Sequence, residues 1–200
     1  NRGARLKSWK LKQYLDLAKQ PQELVPLEMP AGTVLPFELK VADEGVTSRM
    51  RDALFSASEP GAALDGTGAS RTLTFEYHDS SGLAVRKEFG FEPRSFVMRF
   101  SADVTVGGRS ENHWVLWGQG LGDVTAVKSS SYVQKPEGIL FRGDKVQRLP
   151  SKNLAAQPAH DDNTFTAAGV DDQYFITMAL PARGLRIEYE PVVVPAAAGQ

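Results

Sequence analysis

From Arg71 onward the chain runs in short alternations of apolar and polar residues bounded by Gly, Pro, Asn, Asp and Ser, while helix-period patterns are scarce. A period of two is what a half-buried strand requires, so the chain is expected to be all-β. The clearest unit is a hairpin over 71–91. Its first arm sets Leu73, Phe75 and Tyr77 on one face and Thr72, Thr74, Glu76 and His78 on the other; its second arm gathers Leu83, Val85, Phe89 and Phe91. If Ser80-Ser81-Gly82 is a three-residue loop with Gly82 left-handed, Tyr77 falls opposite Val85 and Leu73 opposite Phe89, which keeps both apolar faces on one side. Lys87 is the discordant residue, on the apolar face opposite Phe75. A lysine there either snorkels its ammonium past Phe89 or pairs with a buried carboxylate, and snorkelling is the favoured expectation.

The next segment, Ser95 to Val106, reads as one strand with Phe96, Met98, Phe100, Ala102, Val104 and Val106 inside, ended by Gly107-Gly108. His113 to Trp117 and Tyr174 to Leu180 are apolar on both faces, as strands covered from both sides are, and these are expected to be central. Weaker strands are expected at 4–11, 34–40, 138–142, 163–167 and 184–190, with loops over 57–70 and 151–163. About ten or more strands suit two large, mainly antiparallel sheets packed face to face.

Composition narrows the function classes. At 200 residues, 42% of them hydrophobic, the chain is long enough to bury one substantial core, so a single domain over 1–195 with an uncommitted tail at 196–200 is expected. The 23 basic and 24 acidic residues leave a formal charge of -1, without the basic excess that draws a protein to nucleic acid. Absence of cysteine removes disulfides, thiolate nucleophiles and thiolate metal sites. No apolar run approaches the roughly 20 residues of a membrane-spanning helix. Asn1-Arg2-Gly3-Ala4-Arg5 lacks the apolar core of a signal peptide, so the sequence reads as a soluble piece of a longer protein whose membrane segments lie elsewhere.

With those segments placed, the chain resembles the periplasmic domain of the YidC membrane protein insertase family. The resemblance is carried by Gly3 to Tyr14, by Glu23-Leu24-Val25-Pro26, and by Leu73-Thr74-Phe75-Glu76-Tyr77 with Val85-Arg86-Lys87-Glu88-Phe89. It continues through Trp117-Gly118 and the run Gly169-Val170-Asp171-Asp172-Gln173-Tyr174-Phe175, closed by Leu180-Pro181. What it implies is a β-supersandwich of galactose-mutarotase type at the periplasmic face of the bacterial inner membrane. It also implies an accessory, non-catalytic role, with no cofactor or metal. The implied partners are the Sec translocon's accessory membrane subunits of SecD/SecF type, and possible contact with nascent membrane proteins.

The same supersandwich shape occurs in sugar mutarotases and carbohydrate-binding domains, which makes a carbohydrate-active domain the alternative. Mutarotase chemistry needs a histidine and a carboxylate converging in a cleft. Only His78, His113 and His160 are available, and surface histidines are the expectation. His160-Asp161-Asp162-Asn163 offers oxygen ligands without the spacing or closing glutamate of a calcium loop. Gly118 to Asp123 lacks the glycine spacing of a dinucleotide cradle. Asp171 and Asp172, as neighbours on a strand, point to opposite faces and do not make an acid/base pair. Gly169 and the two aspartates are instead expected to shape a turn, with Tyr174 and Phe175 locking the next strand into the core. Trp114, Trp117 and Tyr132 could line an aromatic groove, core packing being favoured for the tryptophans. Trp117 and Tyr132 stand as the candidate groove or partner contacts.

Overall fold

The computed structural model describes residues 1–16, 18–25, 32–61, 68–118, 137–160, 165–171, 174–180 and 186–190. In chain order the elements are β1 (Lys10–Leu15), β2 (Pro21–Glu23), β3 (Glu38–Lys40), α1 (Glu44–Asp52), β4 (Ser56–Ala57), β5 (Arg71–His78), β6 (Leu83–Phe91) and β7 (Met98–Val106). They continue with β8 (Arg109–Ser110), β9 (Trp114–Leu116), β10 (Glu137–Arg142), β11 (Lys145–Leu149), α2 (Ser151–Ala156), β12 (Ala159–His160), β13 (Ala167–Asp171), β14 (Ile176–Ala179) and β15 (Ile187–Glu188). The protein is mostly β and its sheets are antiparallel, as an all-β sandwich requires. The chain divides into two compact units, one of Asn1–Lys7 with Val34–Gly118, the other of Ser8–Thr33 with Gln119–Gln200.

The first unit is built on a five-stranded sheet of order β4-β5-β6-β7-β8. The β5–β6 register sets Tyr77 against Val85 and Leu73 against Phe89, and Gly82 is left-handed at φ +83°, as the alternation and the turn chemistry demand. The sheet buries Leu83, Val85 and Val104. Against them pack Leu39 and Val41 from the β3 region, Phe55, and Val46 and Met50 of α1. Each of the large apolar side chains contributes about 1.5 to 3 kcal/mol of burial.

Helix α1 lies in a stretch to which the sequence pattern assigns no element. Asp43 caps it, its Oδ1 accepting the Val46 N–H at 2.9 Å, and Arg49 and Arg51 occupy its last turn, so both helix ends are electrostatically matched. Its buried stripe is short: Val46, Thr47 and Met50. The Thr47 hydroxyl donates to the Val41 carbonyl and accepts the Val41 N–H, which fixes the helix to the chain leaving β3.

Two strands are shorter than their apolar patterns predict. The strand expected from Ser95 begins at Met98, and Phe96 stands 71% exposed rather than in the core. The segment His113–Trp117, expected to be central, supplies only the three-residue β9; among the described residues β9 pairs with β3 alone, and Trp114 and Val115 face outward.

The second unit centres on a four-stranded sheet of order β11-β10-β13-β14, with the small pairs β1-β2 and β12-β15 beside it in the chain's organisation. Its core is Leu140, Leu149, Phe165, Ala168 and Tyr189, with Leu154 of α2, Val170 and Ile187 packed against it. Strand β10 matches the expected 138–142, whereas the strand expected at 163–167 lies later, at β13, and 151–163, read as loop, contains α2 and β12. β14 lies at the end of the described strand order, and Ile176, Met178 and Leu180 are exposed. A central, doubly covered strand is therefore not what Tyr174 to Leu180 forms.

Candidate functional site

Of the three aromatic groove candidates the structure describes two: Trp114 stands 40% exposed on β9, against the expected core packing, and Trp117 is packed. Trp117 stacks edge-on against Phe37 at 5.3 Å, and Phe37 in turn meets Phe89 at 5.2 Å and Phe100 at 4.8 Å. Trp117 is thus the half-buried outer member of an aromatic cluster over β6 and β7. Gly118 next to it has φ +94°, and a Cβ there would come within 2.6 Å of the Val34 carbonyl oxygen, so glycine is needed for the turn. Tyr132 lies outside the described residues.

In the signature run, Gly169 and Asp171 belong to strand β13 itself and not to a turn. Gly169 is required by close approach: a Cβ there would land on the Thr177 carbonyl oxygen and within 2.8 Å of the Met178 Cα on β14. Its carbonyl accepts the Tyr189 hydroxyl at 3.0 Å, and the same hydroxyl lies 3.1 Å from the Ile139 carbonyl, so Tyr189 bridges β10 and β13. Burial pushes the Tyr189 phenol up to about 12. Asp171 ends β13 buried, with one carboxylate oxygen on the Arg148 guanidinium of β11. Tyr174, expected to lock a strand into the core, is 78% exposed, and Phe175 is half-buried, edge-on to the exposed Tyr14 at 6.0 Å. Asp172 lies outside the described residues.

Of the three histidines the structure describes the side chains of His78 and His113, and neither is brought into a metal-holding cluster with carboxylates. His78 is exposed at the end of β5, and His113 lies 3.3 Å from the Glu111 carbonyl. No group of three or more His, Asp or Glu side chains that could hold a metal occurs among the described residues. Asp161, Asp162 and Asn163 lie outside them. A shallow polar hollow lined by Ser56, Ser58, Thr74, Glu76 and Arg86 is occupied by its own ion pairs, Arg86 reaching Glu76 and Glu88 at 2.5 Å each.

The strongest electrostatic feature is one the sequence marks only as a discord. Lys87 is 1% exposed, so its ammonium does not snorkel; it donates to the carbonyls of Gly3 at 2.7 Å, Ala4 at 3.3 Å and Phe37 at 2.7 Å. Its Nζ also lies 5.5 Å over the Phe55 ring. All three acceptor residues have left-handed backbone, at φ +65°, +41° and +66°. For Ala4 and Phe37 that conformation is strained, and it persists where the surroundings hold it. The neighbouring carboxylate, Glu38, is likewise 1% exposed and is held by Arg51 Nε at 2.5 Å and Arg5 Nη1 at 3.1 Å. Burial pulls the Lys87 ammonium down to about 7, Glu38 opposing that shift and Arg5 adding to it. A depressed lysine in an open cleft would suggest a nucleophile; enclosed among backbone carbonyls, Lys87 has no face for a substrate and ties three chain segments together.

A family model described as the YidC periplasmic domain matches residues 1–193. The chain belongs to the YidC periplasmic domain family. No curated protein and no solved structure is matched by the chain. The YidC periplasmic domain match spans both compact units and includes the hairpin, the Lys87 network and the Gly169–Phe175 run. Among the described residues no helix is long and apolar enough to cross a membrane.

Proposed function

We propose that this YidC periplasmic domain is a non-catalytic accessory of a membrane protein insertase, which helps insertion and folding of inner-membrane proteins by contacting the Sec translocon's accessory subunits. The family match over residues 1–193 carries the reading. The internal chemistry supports it: the most perturbed cation, Lys87, is consumed in holding backbone, and Glu38 is neutralised by two arginines. We extend the proposal to a β-supersandwich of mutarotase type and to contact with nascent membrane proteins.

The test uses the full-length insertase with and without this domain. Deletion is expected to leave substrate insertion largely intact and to weaken copurification of the SecD/SecF-type subunits; undiminished copurification refutes the partner role. Saturable sugar binding by the chain, lost in Trp117→Ala, would favour a carbohydrate-binding domain instead.

A further inference from the structure

The connection between β6 and β7 differs from the β5–β6 and β7–β8 turns of the five-stranded sheet. The Asp79–Gly82 and Gly107–Gly108 turns at the opposite end are polar or glycine. Beyond the Phe91–Met98 pair, the six residues Glu92–Val97 instead project an apolar pair, Phe96 at 71% and Val97 at 57% exposure. The loop is held in shape. Ser95 N–H donates to the Glu92 carbonyl at 3.3 Å, Val97 N–H donates to the Ser95 hydroxyl at 3.0 Å, and the Arg99 guanidinium pairs with Glu92. Arg94 adopts the left-handed conformation at φ +59°, which a non-glycine residue holds only where its surroundings determine it. The apolar pair is therefore presented outward by a defined loop rather than left over from a disordered one.

The formal charge of this segment differs in sign from that of the chain. Residues 92–99 carry two arginines and one glutamate, a local excess of one positive charge on a chain of formal charge -1. A loop with two exposed apolar side chains flanked in the sequence by Arg94 and Arg99 suits the boundary of a phospholipid layer, apolar atoms among the acyl chains and arginine at the phosphates. A specific protein interface needs about 800 Å² from each partner, more than two side chains at a tip supply. We propose that the Glu92–Arg99 loop is a contact for the surface of an anionic phospholipid membrane. The contact is weak by itself and relies on the domain being held beside the membrane, as the functional reading above has it, where tethering raises the effective concentration.

The chain contains no cysteine, so single reporters are clean. Val97→Cys, and separately Ser80→Cys at the opposite end of the sheet, carry an environment-sensitive fluorophore on the full 200-residue chain, His-tagged and anchored to chelating-lipid vesicles. On vesicles containing phosphatidylglycerol the reporter at 97 is expected to shift to the blue and the one at 80 to stay unchanged; on phosphatidylcholine alone neither shifts. Arg94→Gln lowers the inserted fraction about fivefold, and Phe96→Ser lowers it about tenfold. Unchanged urea midpoints show that these exposed variants remain folded. No shift at 97, an equal shift at 80, or insertion insensitive to Phe96→Ser overturns the proposal, as does a reporter at 97 that responds only to a protein partner. Copurification of the accessory subunits is read separately, so either result can fail while the other stands.

Discussion

Lys87 occupies a position where alternation alone would set an apolar side chain, between buried Val85 and buried Phe89 on the inner face of β6. Its depressed ionisation makes stability depend on pH in a definite direction. Between about 7, its folded value, and 10.5, its ordinary value, the unfolded chain keeps the proton and the folded chain has lost it. The unfolded state then binds more protons, so stability climbs with pH by up to about 1.4 kcal/mol per unit across that window and is level in this respect below it. Lys87→Met should abolish that climb, measured as the difference in urea unfolding free energy between the two ends of the window; an unchanged climb would assign it to another group. Glu38→Gln is expected to cost about 3 to 5 kcal/mol, because Arg5 and Arg51 lose their buried counter-charge. Gly169 is limiting for a steric reason. In Gly169→Ala the methyl group meets β14 backbone, and the strands must part at a cost of about 3 kcal/mol, at the upper end of overpacking. A thermal melt within 1 °C of the parent would contradict the close approach, since about 1 kcal/mol shifts a domain of this size by about 2 to 4 °C.

At the scale of elements, the β5–β6 hairpin was legible down to its register, because a strict period of two and a glycine at the turn both constrain the same pairing. Helix α1 was not legible as a pattern. Its nine residues bury only Val46, Thr47 and Met50, too few to define a period, and its one clear signal is local: Asp43 three residues before Val46, acid at the start and arginine at the end. Asp43→Ala should therefore destabilise by about 1 kcal/mol, read from urea denaturation, while Asp43→Asn leaves stability nearly unchanged. The two-faced apolar runs misled for a different reason. Hydrophobicity on both faces specifies that a strand avoids water somewhere, not that the sheet continues on both sides; β9 and β14 expose Trp114, Val115, Ile176 and Met178. Of the candidate residues, the family run was found by order and spacing, but the role of Gly169 depends on a neighbouring strand's backbone and that of Lys87 on carbonyls more than 80 positions away in sequence for two of its three acceptors. No local pattern encodes either.

For the molecule as a whole, connectivity has an energetic consequence. Each compact unit is assembled from two stretches of chain, so neither can be excised as one continuous segment. In the first unit the short stretch Asn1–Lys7 is integral. Gly3 N–H donates to the Ala53 carbonyl at 2.8 Å, Asn1 Nδ2 to the Phe55 carbonyl at 2.7 Å, and Leu6 N–H to the Pro36 carbonyl at 3.0 Å, while Ala4 is buried in the core. The same stretch supplies two of the three Lys87 acceptors and Arg5 for Glu38. A chain of residues 34–118 alone therefore retains the five-stranded sheet's sequence but leaves a buried ammonium and a buried carboxylate short of partners. It should be less stable by about 3 to 5 kcal/mol than a version with residues 1–7 joined ahead of Val34 by a flexible linker. The Leu6–Pro36 hydrogen bond keeps the ends of such a linker close, so its closure cost is small. Comparison of the two by urea unfolding separates the contribution of the amino-terminal stretch from that of the sheet. Equal midpoints would mean that Lys87 finds water or other acceptors once the stretch is gone, and that the carbonyl cage is not what holds this unit together.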